Sequence, residues 1–133
     1  MDRLEELRKM FSEEPFGKTL GARLEVLERG RVVISLTVTP ELAIVSGIAQ
    51  AGVILSLADY AGVYAAMSML PSGFTPASDG GGCFTRPAKL GEVMRAEAVI
   101  EDGTKSCLVA RVTVTVGGRR ASSQMWKYAK PRS

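Results

Sequence analysis

The 133-residue sequence contains no histidine. Catalysis by a Ser-His-Asp or Cys-His arrangement within the chain is therefore excluded, and so is dehydration chemistry that needs an imidazole base. The two cysteines, Cys83 and Cys107, are too few and too far apart for a disulfide framework or a zinc site. We expect two plain thiols, buried or half-buried in a reducing compartment, and we expect no metal or redox cofactor.

No part of the chain concentrates charge of one sign. Lys and Arg together number 17 and Asp and Glu 14, a formal net charge of +3, and the positive residues are scattered. A nucleic-acid partner is therefore not indicated. Residues 1–8 alternate charges with leucine and have no apolar signal-peptide core, so we expect a cytoplasmic location.

Between residues 43 and 70 the only charged side chain is that of Asp59. The stretch is long enough to cross a bilayer, which takes about 20 apolar residues. Asp59, with Gln50 and Ser56 nearby, makes such a span unfavourable, since a charge at the helix centre costs roughly 2.5–3.5 kcal/mol on insertion. We therefore predict a helix over residues 50–70 that is buried in a soluble protein and not in a membrane.

The remaining pattern predicts one α+β domain over residues 1–133. Apolar residues at helical spacing indicate an N-terminal helix within residues 1–15. Because the central helix is apolar on nearly all sides, we expect an antiparallel sheet to wrap it and a partner subunit to help cover it. Alternation and turn residues predict the strands of that sheet at 22–28, 31–39, 74–84, 92–101, 107–116 and 119–128.

Two segments of the sequence carry a resemblance to a known family. Gly47, Gly52 and Asp59 have the spacing found around the central helix of the hotdog-fold acyl-CoA thioesterases of the PaaI-like group, and residues 87–92, Pro-Ala-Lys-Leu-Gly-Glu, are similar to the bend that follows the next strand in that group. The resemblance implies a curved antiparallel sheet around one long helix, assembly as a homodimer or homotetramer, and hydrolysis of an acyl-CoA. Coenzyme A would then enter only as part of the substrate.

The sequence departs from the family pattern at four positions. Ile44 stands in place of an Asn, Gln50 in place of a His, and Ala51 in place of the first of two glycines; Ala77 occupies a strand position that often carries Ser or Thr. Three of these departures, Ile44, Gln50 and Ala77, leave a second hypothesis open. The protein would then be a non-catalytic hotdog protein that binds an acyl-CoA or another small ligand.

Thioester hydrolysis needs hydrogen-bond donors at the developing oxyanion and a base or nucleophile at the carbonyl carbon. The first amides of a helix are unpaired and lie at its positive end, so we predict that Ala51 and Gly52 supply the donors, with help from the Gln50 side chain. Asp59 would act either as general base toward water or as nucleophile.

The donors and the carboxylate lie too far apart on one helix to share a site. Ala51 and Asp59 are eight residues apart, about 12 Å at 1.5 Å per residue. Both must come within about 3 Å of one carbonyl group. We therefore expect each active site to combine the amides of one subunit with Asp59 of its neighbour.

Five further residues are candidates for substrate binding. Gly47 lies at the helix entrance, Ser78 and Asp79 lie on the strand after the helix, and Arg86 and Lys89 flank the bend. The two basic residues could meet the phosphates of coenzyme A. Gly80, Gly81 and Gly82 would leave room for a pantetheine or acyl arm, rather than form a phosphate cradle, because no helix follows them.

Overall fold

The computed structural model describes residues 1–131, so the last two residues of the predicted domain lie outside the described residues. Two short helices precede the first hairpin, a long helix follows it, and four strands complete the chain. The elements are α1 (Arg3–Glu13), α2 (Pro15–Leu20), β1 (Arg23–Glu28), β2 (Arg31–Thr37), α3 (Ala51–Ser68), β3 (Ala77–Phe84), β4 (Val93–Gly103), β5 (Cys107–Val116) and β6 (Arg119–Ala129).

The six strands form one antiparallel sheet in the order β1-β2-β4-β5-β6-β3. The sheet is curved, and α3 lies across it, so the predicted α+β architecture is confirmed. On β4 the buried side chains are those of Met94, Ala96 and Ala98, with exposed or half-buried residues between them. The small side chains of Ala96 and Ala98 let α3 lie close to the sheet.

The face of α3 that meets the sheet is fully buried. Leu57, Ala58, Ala61 and Ala65 have the spacing of one helix face, and none of them is exposed to solvent. By length and composition α3 could cross a membrane, but most of it is buried inside the fold as a core helix. Its first turns are less covered, and the side chains there are mostly half-buried. The apolar surface left open is what we expect a partner subunit to cover.

The N-terminal helices cover the other side of α3. The predicted first helix is confirmed, with Asp2 accepting a capping hydrogen bond from the Glu5 amide at 2.9 Å. Helix α2 was not predicted; it begins at Pro15, where a missing N–H leaves no hydrogen bond unmade. Phe11 stacks on Tyr60 of α3 with 5.2 Å between the ring centroids. The two helices thus close one wall around the middle of α3.

The strand after α3 is shorter than predicted and lies at the sheet edge. β3 begins at Ala77 and continues through Gly80, Gly81 and Gly82 without a break. Nearly all of its residues are exposed, because no strand of the described chain pairs with its outer edge. For this reason Cys83 is exposed, which corrects the expectation of a buried or half-buried thiol, whereas Cys107 is half-buried as expected.

Candidate functional site

Asp59 lies in the middle of α3, half-buried, with a tyrosine hydroxyl beside it. The Tyr128 hydroxyl lies 3.0 Å from Asp59 Oδ1 and 3.1 Å from the Asp59 backbone oxygen, within donating distance of both. Burial raises the pKa of the Asp59 carboxyl above its ordinary value, and the hydrogen bond from Tyr128 acts in the opposite direction. A carboxyl with a raised pKa is a stronger base than an exposed one, which suits proton transfer.

A cavity of about 330 Å³ adjoins this carboxyl. Tyr64 donates a 2.7 Å hydrogen bond to Glu14 across the cavity wall. Burial, together with this hydrogen bond, raises the pKa of Tyr64. The Tyr60 hydroxyl is buried and has no hydrogen-bond partner among the described residues. Four of the nine residues of the wall are aromatic, and the wall comes from α3, the α1–α2 segment and the loop before β3. It comprises Glu14, Phe16, Ser56, Asp59, Tyr60, Val63, Tyr64, Met67 and Phe74.

The entrance of α3 borders a second and larger cavity, of about 520 Å³. Backbone hydrogen bonds tie the loop at this entrance to the bend after β3: Ala49 N donates to Ala88 O at 2.7 Å, and Leu90 N donates to Gly47 O at 3.0 Å. The two segments that carry the family resemblance are therefore in direct contact. The cavity is lined by Ile44, Ile48, Ala49, Gln50, Ala51, Ile54, Phe84, Thr85, Arg86 and Pro87.

Gln50 is the N-cap residue of α3, and its side-chain oxygen accepts a hydrogen bond from the Gly52 amide. That amide was predicted to serve the oxyanion, but here a side chain occupies it, as is usual for an N-cap residue in extended conformation. The Ala51 amide has no acceptor among the described residues. The φ of Ala51 is not positive, so alanine is unstrained at this position, where the family has a glycine. Ala51 is thus the predicted donor that stays free.

Gly47 supports the entrance through its backbone. Its φ of +81° is in the left-handed region, which glycine adopts without strain. Its N–H donates to Ile44 O at 2.9 Å, which closes a turn, and its carbonyl oxygen accepts a hydrogen bond from the Leu90 amide. Gly47 lies outside the lining of the entrance cavity.

The basic candidates differ in position. Arg86 lines the entrance cavity, and its guanidinium donates to Arg120 O at 2.7 Å. The Lys89 amide donates to the Glu92 carboxylate at 2.8 Å, while Lys89 itself is exposed and lies outside the cavity lining. Of the two, Arg86 is the cation that the fold brings to Gln50 and Ala51.

Ser78 and Asp79 lie on the exposed edge strand, apart from both cavities. Ser78 donates a 3.3 Å hydrogen bond to Lys127 O, and Asp79 borders a shallow groove of about 350 Å³ on the sheet. Ala77 pairs directly with Tyr128, so it shares the sheet face of the tyrosine that contacts Asp59. Within one protomer the structure therefore gathers Gln50, Ala51 and Arg86 at one place and leaves Asp59 at another.

Two of the three glycines of β3, Gly80 and Gly82, face β6 rather than an open channel. A side-chain carbon at Gly80 would overlap the indole of Trp126, and one at Gly82 would overlap the backbone of β6. The space that was expected to admit a pantetheine arm is filled at these two positions by the neighbouring strand. At Gly81, whose φ is +136°, the space is open.

Tyr128 is the site residue that sequence reasoning missed. In the sequence it is only the end of a predicted strand, although its alternation with Trp126 and Gln124 places all three on the inner face of β6. The available signal was a polar stripe, Ser122-Gln124-Trp126-Tyr128, on a face that should be apolar.

Among residues 1–131, no group of three His, Cys, Asp or Glu side chains lies close enough to hold a metal ion.

Solved structures with the same architecture include three bacterial proteins. The Escherichia coli PaaI protein of the phenylacetic acid degradation operon superposes with a TM-score of 0.90 at 22% identity, over 97% of this chain and 93% of that one. A Haemophilus influenzae thioesterase gives 0.84 at 18% identity, over 95% and 88%. A hypothetical thioesterase of Streptococcus pneumoniae with coenzyme A gives 0.77 at 17% identity, over 84% and 90%.

These likenesses, at identities below 25%, establish the hotdog fold. No curated protein matches the sequence significantly. The family described as the thioesterase superfamily matches residues 46–123, which is more than half of the chain and includes both the entrance of α3 and Asp59. The resemblance seen in Gly47, Gly52 and Asp59 is thus confirmed at the level of fold and superfamily. The chain belongs to the thioesterase superfamily.

Proposed function

We propose that the protein hydrolyses a small or medium acyl-CoA or aryl-acyl-CoA to the free acid and coenzyme A. The observation that carries this proposal is Asp59, a carboxylate half-buried beside a cavity on a helix with no other charge. Burial raises its pKa, so the group is a better base than a solvated aspartate. A structural salt bridge would not explain it, since no cation of the described residues pairs with it.

At the entrance of α3, the Ala51 amide would polarise the thioester carbonyl. The N–H lies at the positive end of an 18-residue helix and beside an open cavity, which favours a developing negative charge. Arg86 on the rim of the same cavity would meet the coenzyme A phosphates. Two fold relatives from Streptococcus species hold coenzyme A and acetyl-CoA, which supports this class of ligand.

Self-association would complete the site. Ala51 and Asp59 border different cavities of one protomer, in line with their separation of about 12 Å along the helix. The edge of β3 is exposed and pairs with no other strand of the described chain, so it can pair with another copy. A homodimer or homotetramer would thereby bring the amide of one subunit toward Asp59 of the next.

Asp59 has two alternative roles in the reaction. As general base it takes a proton from water, the hydroxide adds to the carbonyl carbon, and the C–S bond breaks to release the coenzyme A thiolate, which is then protonated. As nucleophile it displaces the thiolate itself and forms an anhydride that water cleaves. Neither role needs a metal or redox cofactor, and we place the reaction in the cytoplasm, with no membrane or nucleic-acid partner.

One observation favours a second function, non-catalytic binding of an acyl-CoA or a similar small ligand. Gln50 occupies the Gly52 amide, which leaves one free donor at the entrance instead of two. Removal of a single oxyanion donor lowers kcat about 10²–10³-fold in enzymes that depend on two. The chain could therefore have kept the ligand site and lost turnover.

Thiol release from a panel of acyl-CoA substrates tests the proposal. The wild type is compared with Asp59→Asn and with Asp102→Asn, a matched control at the exposed end of β4 that lines neither cavity. We expect turnover by the wild type and by Asp102→Asn, and its loss in Asp59→Asn. Ligand binding without turnover by the wild type would favour the binding function, and full activity of Asp59→Asn would refute the role of the carboxylate. A monomer in light scattering would contradict the shared site.

A further inference from the structure

Gly62 occupies an unusual position, the buried interior of α3. Glycine is disfavoured there, because it gains no packing and loses the most chain entropy. A side-chain carbon at this position would overlap the Tyr128 hydroxyl and would lie 3.1 Å from Tyr128 Cζ. The glycine therefore opens the surface of α3 at the point where the phenol of Tyr128 enters.

The hydroxyl admitted by Gly62 reaches Asp59. Residues three apart on a helix share a face, so the gap at Gly62 lies next to the Asp59 side chain. Tyr128 is fully buried, and its hydroxyl lies 3.0 Å from Oδ1. Oδ2 receives no hydrogen bond from the described residues, so one carboxylate oxygen is held and the other is available.

Tyr128 is itself held in place by its neighbours on β6. Its ring stacks on the Trp126 indole, with 6.4 Å between centroids and 18° between planes. The indole N–H donates to Gln124 at 2.8 Å, Gln124 donates to Ser122 at 2.9 Å, and Ser122 donates to Cys83 O at 2.8 Å. Ser122 and Gln124 are buried, so this row of hydrogen bonds fixes the face that carries Tyr128.

We propose that Tyr128 is a positioning residue for Asp59: its hydroxyl fixes Oδ1, favours the ionised carboxylate and leaves Oδ2 to act on water or on the acyl carbon. The role in turnover rests on the proposed function, whereas the effect on the carboxylate does not. The hydroxyl keeps an acceptor in either protonation state, since Tyr128 can donate to the Asp59 backbone oxygen when the carboxyl is protonated.

The other titratable groups near Asp59 do not replace this contact. Glu14 faces the cavity from the segment before α2, and Tyr60 and Tyr64 face it from α3. Glu14 is acidic and is already bonded to Tyr64. No lysine or arginine lines the cavity among the described residues. Tyr128, whose own pKa is raised by burial and by Asp59, stays protonated and is always able to donate.

Tyr128→Phe tests the proposal by two measurements. The pKa of Asp59, followed by carboxyl ¹³C NMR without substrate, should rise, because burial remains while the stabilising hydrogen bond is lost. With a substrate, kcat should fall about tenfold or more with little change in KM, the loss expected for one hydrogen bond to a charged group. Tyr64→Phe is the control for the NMR measurement, since it removes a buried hydroxyl that contacts Glu14 instead.

Gly62→Ala is the second variant, which displaces the hydroxyl and keeps the ring. It should reproduce the rise of the Asp59 pKa. An unchanged pKa in both variants, or a changed KM with an unchanged kcat in Tyr128→Phe, would overturn the proposal. If the wild type shows no turnover but the pKa rises in Tyr128→Phe, the positioning contact stands and the thioesterase function fails.

Discussion

Replacement of Gly62 by alanine sets two physical effects against each other. In an ordinary helix the change would stabilise the protein by up to about 1 kcal/mol, because alanine is the better helix former. Here the new methyl group would overlap the Tyr128 hydroxyl and crowd Cζ at 3.1 Å. The outcome depends on whether Tyr128 can move, and the ring is buried and stacked on Trp126.

The expected net effect is destabilisation. Crowding a packed interior costs about 1–3 kcal/mol, and loss of a hydrogen bond to a charged group costs about 1.5–3 kcal/mol. After the gain in helix propensity, the free energy of unfolding should fall by about 1.5–5 kcal/mol. For a domain of this size each kcal/mol corresponds to a Tm change of about 3–5 °C.

A double-mutant cycle with Tyr128→Phe isolates the hydroxyl. Urea denaturation at pH 7 gives the free energy of unfolding of the wild type, both single variants and the double variant. In the Tyr128→Phe background the overlapping atom is gone, so Gly62→Ala should be within about 1 kcal/mol of neutral and the coupling should reach about 2 kcal/mol or more. A stabilising Gly62→Ala in the presence of Tyr128, or a coupling near zero, would refute the assignment of this glycine to the tyrosine.

Three other changes give separate tests. Asp59→Asn should be more stable than the wild type at neutral pH, and this advantage should shrink in acid. The reason is that the wild type, whose Asp59 pKa is raised in the native state, loses stability as pH rises from the ordinary aspartate pKa of 3.8 through the raised value. Urea titrations at pH 4 and 7 measure the difference in the free energy of unfolding, and an equal difference at both pH values would contradict the prediction. Gln50→Ala should destabilise the fold by about 1 kcal/mol, because the helix cap is lost. Thiol release should not be slower, since the change frees the Gly52 amide; slower release would instead assign Gln50 a direct role. Arg86→Gln should raise KM for an acyl-CoA about twofold to fivefold, as for one solvent-exposed ion pair, and leave KM for the matching acyl-pantetheine unchanged. An equal effect on both would exclude a phosphate contact.

The fold was predictable because its signals are local and repeat along the chain. Strand β5 and the first half of β4 alternate cleanly, and the chargeless stretch that contains Asp59 marks the core helix. The local pattern missed features at residues that are compatible with two different structures. Pro15 is compatible with the end of the first helix and equally with the start of α2, and Gly80 suggests a break although it admits Trp126 from the adjacent strand.

The candidate site was predictable only in part, because its contacts join residues far apart in sequence. Asp59 was identified from its uncharged surroundings, but its partner lies 69 residues later on β6. The capping role of Gln50 depends on side-chain direction, which helical spacing does not fix. The cross-subunit arrangement of Ala51 and Asp59 stays a prediction, supported by their separate cavities.

The residues around Asp59 trade stability for an available carboxylate oxygen. A leucine in place of Asp59 would bury apolar surface, and an alanine in place of Gly62 would raise the helix propensity; the chain has neither. Instead the glycine admits a fully buried tyrosine, which donates one hydrogen bond, too little to offset the burial that raises the Asp59 pKa. A purely structural aspartate would have both oxygens bonded and its pKa lowered. One held oxygen, one oxygen without a bond from the described residues and a raised pKa are the features that the proposed role of Asp59 as base or nucleophile requires.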